Sequence, residues 1–73
     1  MKIELMPNYP SDVKDYVNEY NNGVETKDIN VVGTAVNSLV QFLFSSTEIN
    51  RQAATHALNQ IGTVQPGFLT SAA

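Results

Sequence analysis

Ile29-Asn30-Val31-Val32-Gly33-Thr34-Ala35-Val36-Asn37-Ser38-Leu39-Val40-Gln41-Phe42-Leu43-Phe44 is the stretch that decides the fold. Ile29, Val32, Val36, Leu39, Val40 and Leu43 recur at helical spacing and make one continuous apolar stripe. Val31, Ala35 and Phe42 widen that stripe beyond what one neighbouring helix covers. The spacing predicts a helix over 27–44, capped by Thr26 with Asp28 in its first turn, that touches both its own fold and something else. Gly33 stands alone inside this pattern, where glycine costs about 1 kcal/mol relative to alanine. It is expected to sit where another helix backbone passes close by.

Two shorter helical patterns flank the central one. Upstream, Val13, Tyr16, Val17 and Tyr20 form a stripe opposite Lys14, Asp15, Asn18 and Glu19. Ser11 is positioned to cap this helix, Asp12 and Asp15 suit its positive end, and Asn21-Asn22-Gly23 is expected to end it near residue 21. Downstream, Ile49, Ala53, Ala54, Ala57, Leu58 and Ile61 share one side of a helix over 49–61. Its cap is Ser45 through a capping box with Glu48, or Thr47, or Asn50; Gly62 is the expected residue past its end. Residues 1–10 read as an extended leader, 11–62 as one helical domain and 63–73 as a C-terminal tail. In the tail, Gln65-Pro66-Gly67 forbids continuation, and Phe68 and Leu69 either lie on the core or stay disordered. The fold class is all-α, a small three-helix domain.

Charge is divided unevenly along the chain. From Ile29 to Ala73 only Glu48 and Arg51 are charged, whereas residues 1–28 hold the other six acids and all three lysines. A chain of 73 residues supplies a small core, and the absence of cysteine removes disulfides and thiolate metal sites as reinforcement. Self-association is the remaining remedy, so the second helix is expected to hold a homodimer through Ile29, Val32, Gly33, Val36, Leu39, Val40 and Leu43. The net charge of −3 argues against direct nucleic-acid binding, which scales with the Lys and Arg available to displace counterions. The apolar run at 29–44 is too short and too polar to cross a bilayer, and Met1-Lys2-Ile3-Glu4-Leu5-Met6-Pro7 is no signal peptide. The expected location is cytoplasmic.

Chemistry-bearing residues do not converge. His56, the one histidine, has no second histidine or cysteine to complete a metal shell and reads as a surface or half-buried helix residue. Ser45 and Ser46 read as caps, and Asp12, Asp15 and Glu19 as a solvated face. No glycine-rich phosphate loop is present. The expectation is a protein without enzymatic activity or cofactor. Helices two and three, joined by a Ser-Ser-Thr turn, also have the outline of a helix-turn-helix presenting Arg51, Gln52, Thr55, His56 and Asn59. Without phosphate-anchoring lysines nearby, a plain helical hairpin is preferred, with Arg51 and His56 as contacts to a protein partner.

The run Val31-Val32-Gly33-Thr34-Ala35-Val36-Asn37-Ser38-Leu39 resembles the V-L-G-x-A-V-x-x-L segment of the AriR/YmgB family of small biofilm and acid-resistance regulators and connector proteins. Glu25-Thr26, Tyr16-Val17 and Ile49-Asn50-Arg51-Gln52 fall near further landmarks of that family, so the resemblance covers roughly residues 11–61. It implies a helical, cytoplasmic, non-enzymatic homodimer that regulates biofilm or stress responses through protein contacts, a transcriptional regulator among its partners. The long charged C-terminal helix through which members dimerise has no counterpart in Thr63 to Ala73. Two other classes fit the composition: a structural or assembly component of a phage or other large complex, and a small acidic inhibitor of a host enzyme.

Overall fold

The computed structural model describes residues 1–64, which form three helices: α1 (Ser11–Thr26), α2 (Ile29–Phe42) and α3 (Glu48–Val64). The expected stop at Gln65-Pro66-Gly67 and the placement of Phe68 and Leu69 lie outside the described residues. The all-α, three-helix expectation holds. α2 packs against both α1 and α3, whereas α1 and α3 barely touch each other. The opening between them is filled by the leader, which runs antiparallel to both: Ile3 bonds to Asn21 and Glu4 to Gln60, while Tyr9 meets His56.

The core is drawn from all four segments. Ile3 and Tyr9 of the leader join Val13, Val17 and Tyr20 of α1, Val32, Ala35, Val36 and Leu39 of α2, and Ala53, Ala54, Ala57, Leu58 and Ile61 of α3. The leader, without regular structure over 1–6 and turning over 7–9, is through Ile3 and Tyr9 a structural member of the core. Tyr16, half-buried, packs edge-on against Phe42 with ring centroids 5.2 Å apart, which fixes the start of α1 against the end of α2.

Several boundaries move for identifiable reasons. Pro10, not Ser11, takes the N-cap position of α1; its carbonyl accepts the first helical bond, from the Lys14 N–H at 2.9 Å. α1 does not end at Asn21-Asn22-Gly23 but continues to Thr26, because those residues serve tertiary contacts. The Asn21 carboxamide bonds to Ile3, and Gly23 is where α2 comes closest. A Cβ on Gly23 would lie 2.8 Å from Val32 Cγ2 and 2.9 Å from the Val32 nitrogen. The close helix approach expected at Gly33 therefore occurs at Gly23.

Lys27 ends α1 in the left-handed region, φ 59° and ψ 36°. The N–H of Lys27 reaches the Val24 carbonyl at 3.3 Å and that of Asp28 the Gly23 carbonyl at 2.8 Å, the bond pair of a Schellman end. Thr26 cannot cap α2 because it still belongs to α1, where its hydroxyl donates to the Asn22 carbonyl. Asp28 caps α2 instead, its carboxylate accepting from the N–H groups of Asn30 and Val31.

At the next junction the Ser45–Glu48 capping box does not form. Ser45 Oγ accepts from the Thr47 N–H, and the Thr47 carbonyl receives those of Asn50 and Arg51. α3 runs through Gly62 to Val64, so Gly62 is a helical residue and not the residue past the end.

Two substitutions at the α1–α2 junction have opposite expected signs. Gly23→Ala gains helix propensity but drives a methyl into the Val32 backbone, and a net destabilisation of about 1–3 kcal/mol is expected. Lys27→Gly relieves the left-handed penalty and is expected to stabilise by about 0.5–1 kcal/mol. Urea midpoints at unchanged m-value check both.

Candidate functional site

Because the leader forms neither helix nor strand, its backbone groups need partners from elsewhere. Two side-chain carboxamides provide them. Asn21 Oδ1 accepts from the Ile3 N–H at 2.8 Å while Asn21 Nδ2 donates to the Ile3 carbonyl at 2.9 Å. From the opposite wall, Gln60 Oε1 accepts from the Glu4 N–H at 2.9 Å and Gln60 Nε2 donates to the Glu4 carbonyl at 3.1 Å. Each carboxamide thus offers the donor–acceptor pair that a neighbouring strand would offer. The Tyr20 hydroxyl adds a bond to the Met1 carbonyl, and Lys2 pairs with Glu25 at 2.8 Å on the surface. Lys2 bonds to Glu25 and attracts its charge, holding that carboxyl below the usual range.

Toward its other end the leader turns at Met6-Pro7-Asn8-Tyr9, closed by the Tyr9 N–H on the Met6 carbonyl at 3.2 Å. Tyr9 then enters the core, and its hydroxyl accepts from Gln60 Nε2 at 2.9 Å and lies 2.6 Å from His56 Nδ1. The Tyr9 hydroxyl thus joins Gln60 on one side and His56 on the other. Beside this pair lies a cleft of about 310 Å³ lined by Met6, Asn8, Tyr9, Ile49, Gln52, Ala53 and His56.

The structure divides the residues expected at an interface. Val32, Val36 and Leu39 are buried in the chain's own core and are not available as contact surface. Val32 sits against Gly23 of α1, and all three share one core with residues of α1, α3 and the leader. Gly33 is half-buried, Val40 and, just past the end of α2, Leu43 are half-buried with part of each packed against the core, and Ile29 is 72% exposed. Phe44, 84% exposed, and Ile49, 56% exposed, extend the apolar surface at the α2–α3 turn. Arg51 is half-buried and donates to the Ser45 carbonyl at 2.6 Å, so it holds the turn instead of reaching outward. His56 is exposed but engaged with Tyr9.

The leader clamp is the feature that sequence reasoning missed. Asn21 and Gln60 carry no periodic signal, and the single trace was an apolar Ile3 between charged Lys2 and Glu4, the alternation of an extended segment with one buried side. No group of three potential metal ligands occurs among the described residues. No helix among them is long and apolar enough to cross a membrane. Comparison with known proteins finds no matching family model, no matching curated protein and no matching solved structure.

Burial raises the phenol of Tyr9, with Glu4 adding to the shift and the Gln60 bond opposing it; burial alone raises that of Tyr20. A raised folded value stabilises fully below the unfolded value near 10 and is lost as pH climbs through the folded one. Stability is therefore expected to be flat from pH 8 to 9 and to fall above about pH 10. Replacing Tyr20 with phenylalanine should flatten that alkaline limb, as seen in urea titrations across the range.

Proposed function

We propose that this chain is a small non-enzymatic regulatory or connector protein that works through protein contacts, as a homodimer in the cytoplasm. The observation that carries this reading is the apolar surface left on the folded chain: Ile29, the α2 edge of Gly33, Val40 and Leu43, then Phe44 and Ile49. Burying a side chain such as Ile29 or Phe44 is worth about 1.5–3 kcal/mol, a large gain for so small a domain. Every charge between Ile29 and Val64 is accounted for by Glu48 and Arg51, so a second acidic copy meets little repulsion on this side.

The resemblance of residues 31–39 to the AriR/YmgB family supplies the regulatory context, biofilm or stress response, with a transcriptional regulator as a partner class. The reduced interface is Ile29, Gly33, Val40 and Leu43, since the remainder of the stripe is interior.

Sedimentation equilibrium at micromolar concentration is expected to show twice the 8.0 kDa chain mass. Val40→Asp should weaken the dimer by about tenfold or more, one hot-spot side chain's worth, while Asn18→Asp on the exposed face of α1 should leave it unchanged. A wild type that stays at the single-chain mass overturns the dimer, and a large ring or polymer would favour an assembly component.

A further inference from the structure

The groove between α1 and α3 has the properties of a receptor for an extended chain. Its two carboxamides take the backbone groups, both N–H and carbonyl, of consecutive residues, and Gln60 also donates to the Tyr9 hydroxyl. One deep position accepts Ile3, 7% exposed. Main-chain bonds for affinity and a side-chain position for selectivity are the terms on which strand-type peptides are recognised. In the closed chain the occupant is the protein's own leader, attached through the Met6–Tyr9 turn.

We propose that the other occupant of this groove is the leader of a second copy, so that two chains exchange residues 1–6 and form a reciprocal dimer. The proposal deepens the homodimer reading and rests on it. A second copy is favoured because its leader already matches every feature of the groove. Ile3 refills the same position, Asn21 and Gln60 regain the same backbone pairs, Tyr20 the Met1 carbonyl, and Glu25 the Lys2 ammonium.

What differs between closed and exchanged forms is the hinge. Opening it breaks one backbone bond, from the Tyr9 N–H to the Met6 carbonyl, while Tyr9 keeps Gln60 and His56 at home. Pro7 and Asn8 at the tip are exposed, and Pro7 has no N–H to lose. The exchanged segment carries Lys2 and Glu4, one charge of each sign, so the crossing arms add nothing to the repulsion between two chains of net charge −3.

Exchange conserves the contacts, so the balance is set by the hinge and by the effective concentration of the tethered leader, about millimolar for a short connection. Any hinge that cannot close drives the leader into another molecule. Deleting Pro7 and Asn8 removes the tip of the turn, and the deletion variant is expected to dimerise at least about tenfold more tightly than the wild type.

The Lys2–Glu25 pair provides a direct readout in the unmodified chain. Carbodiimide activates the Glu25 carboxylate as an O-acylurea, the Lys2 amine displaces it, and an amide forms with the urea as leaving group. The pair is at 2.8 Å, and the chain has no cysteine to complicate the chemistry. Isotopically heavy and light protein are mixed, equilibrated at high concentration, cross-linked, separated by size and digested. The dimer fraction is expected to yield Lys2–Glu25 peptides joining heavy to light, and the monomer fraction only unmixed ones. A dimer whose Lys2–Glu25 links are all unmixed overturns exchange and leaves the homodimer standing on the α2 edge. A wild type and a Pro7–Asn8 deletion that both stay monomeric overturn the two together.

Discussion

The architecture depends on an opening between two helices that barely touch. α1 and α3 both lie on α2 and have little contact with each other, and α3 turns the small side chains Ala53, Ala54 and Ala57 inward together with Leu58 and Ile61. Left open, that gap would expose one flank of Val13, Val17, Tyr20 and Ile61, each of which is fully buried here. An extended segment is thin enough to enter it, but brings a backbone whose polar groups cannot be left unpaired in the interior. Asn21 and Gln60 meet that condition from opposite walls, and no buried side-chain polar atom among the described residues lacks a partner.

That requirement explains why residues that look like helix breakers are not used as such. Asn21-Asn22-Gly23 contains two residue types common at helix ends, and local propensity alone would stop α1 there. Instead Asn21 is a clamp and Gly23 a notch for Val32, and both require the helix to continue so that they hold their positions on its surface. The end is then displaced to Lys27, a residue that adopts the left-handed conformation with some strain. Asp28, immediately after, closes α1 with its N–H and opens α2 with its carboxylate, which fixes the sharp reversal between them.

Periodicity made the three helices and most of their inward faces legible in advance: Val13, Val17, Tyr20, Val32, Val36, Leu39, Ala54, Leu58 and Ile61 are buried on the stripes where they were read. Helical spacing cannot say which part of a wide stripe is interior. Val32, Val36 and Leu39 belong to the core that α1, α3 and the leader share, so this part of the stripe is interior and does not face a partner. The clamp was illegible for a different reason. Asn and Gln are ordinary surface residues of helices, and nothing local distinguishes one that grips a backbone far away in sequence from one that faces water. At the N-termini, α1 is capped by Pro10 in place of Ser11 and α2 by Asp28 in place of Thr26, whereas Thr47, one of three candidates, precedes α3 and its carbonyl accepts the first helical bonds.

The same geometry separates the molecule into two kinds of surface. Residues 1–28 hold most of the charge and include the leader that closes the core, whereas the outer edge of α2 and the α2–α3 turn carry Ile29, Val40, Phe44 and Ile49 with almost none. Charged faces of like sign keep copies of the chain apart, and the uncharged edge is where that repulsion is weakest. A leader held mainly through its backbone can be matched by an identical backbone from elsewhere, while an apolar edge selects for shape and not for charge. The outer face of α1 carries Asp12, Asp15 and Glu19, all exposed. A molecule approaching that face meets a negative surface.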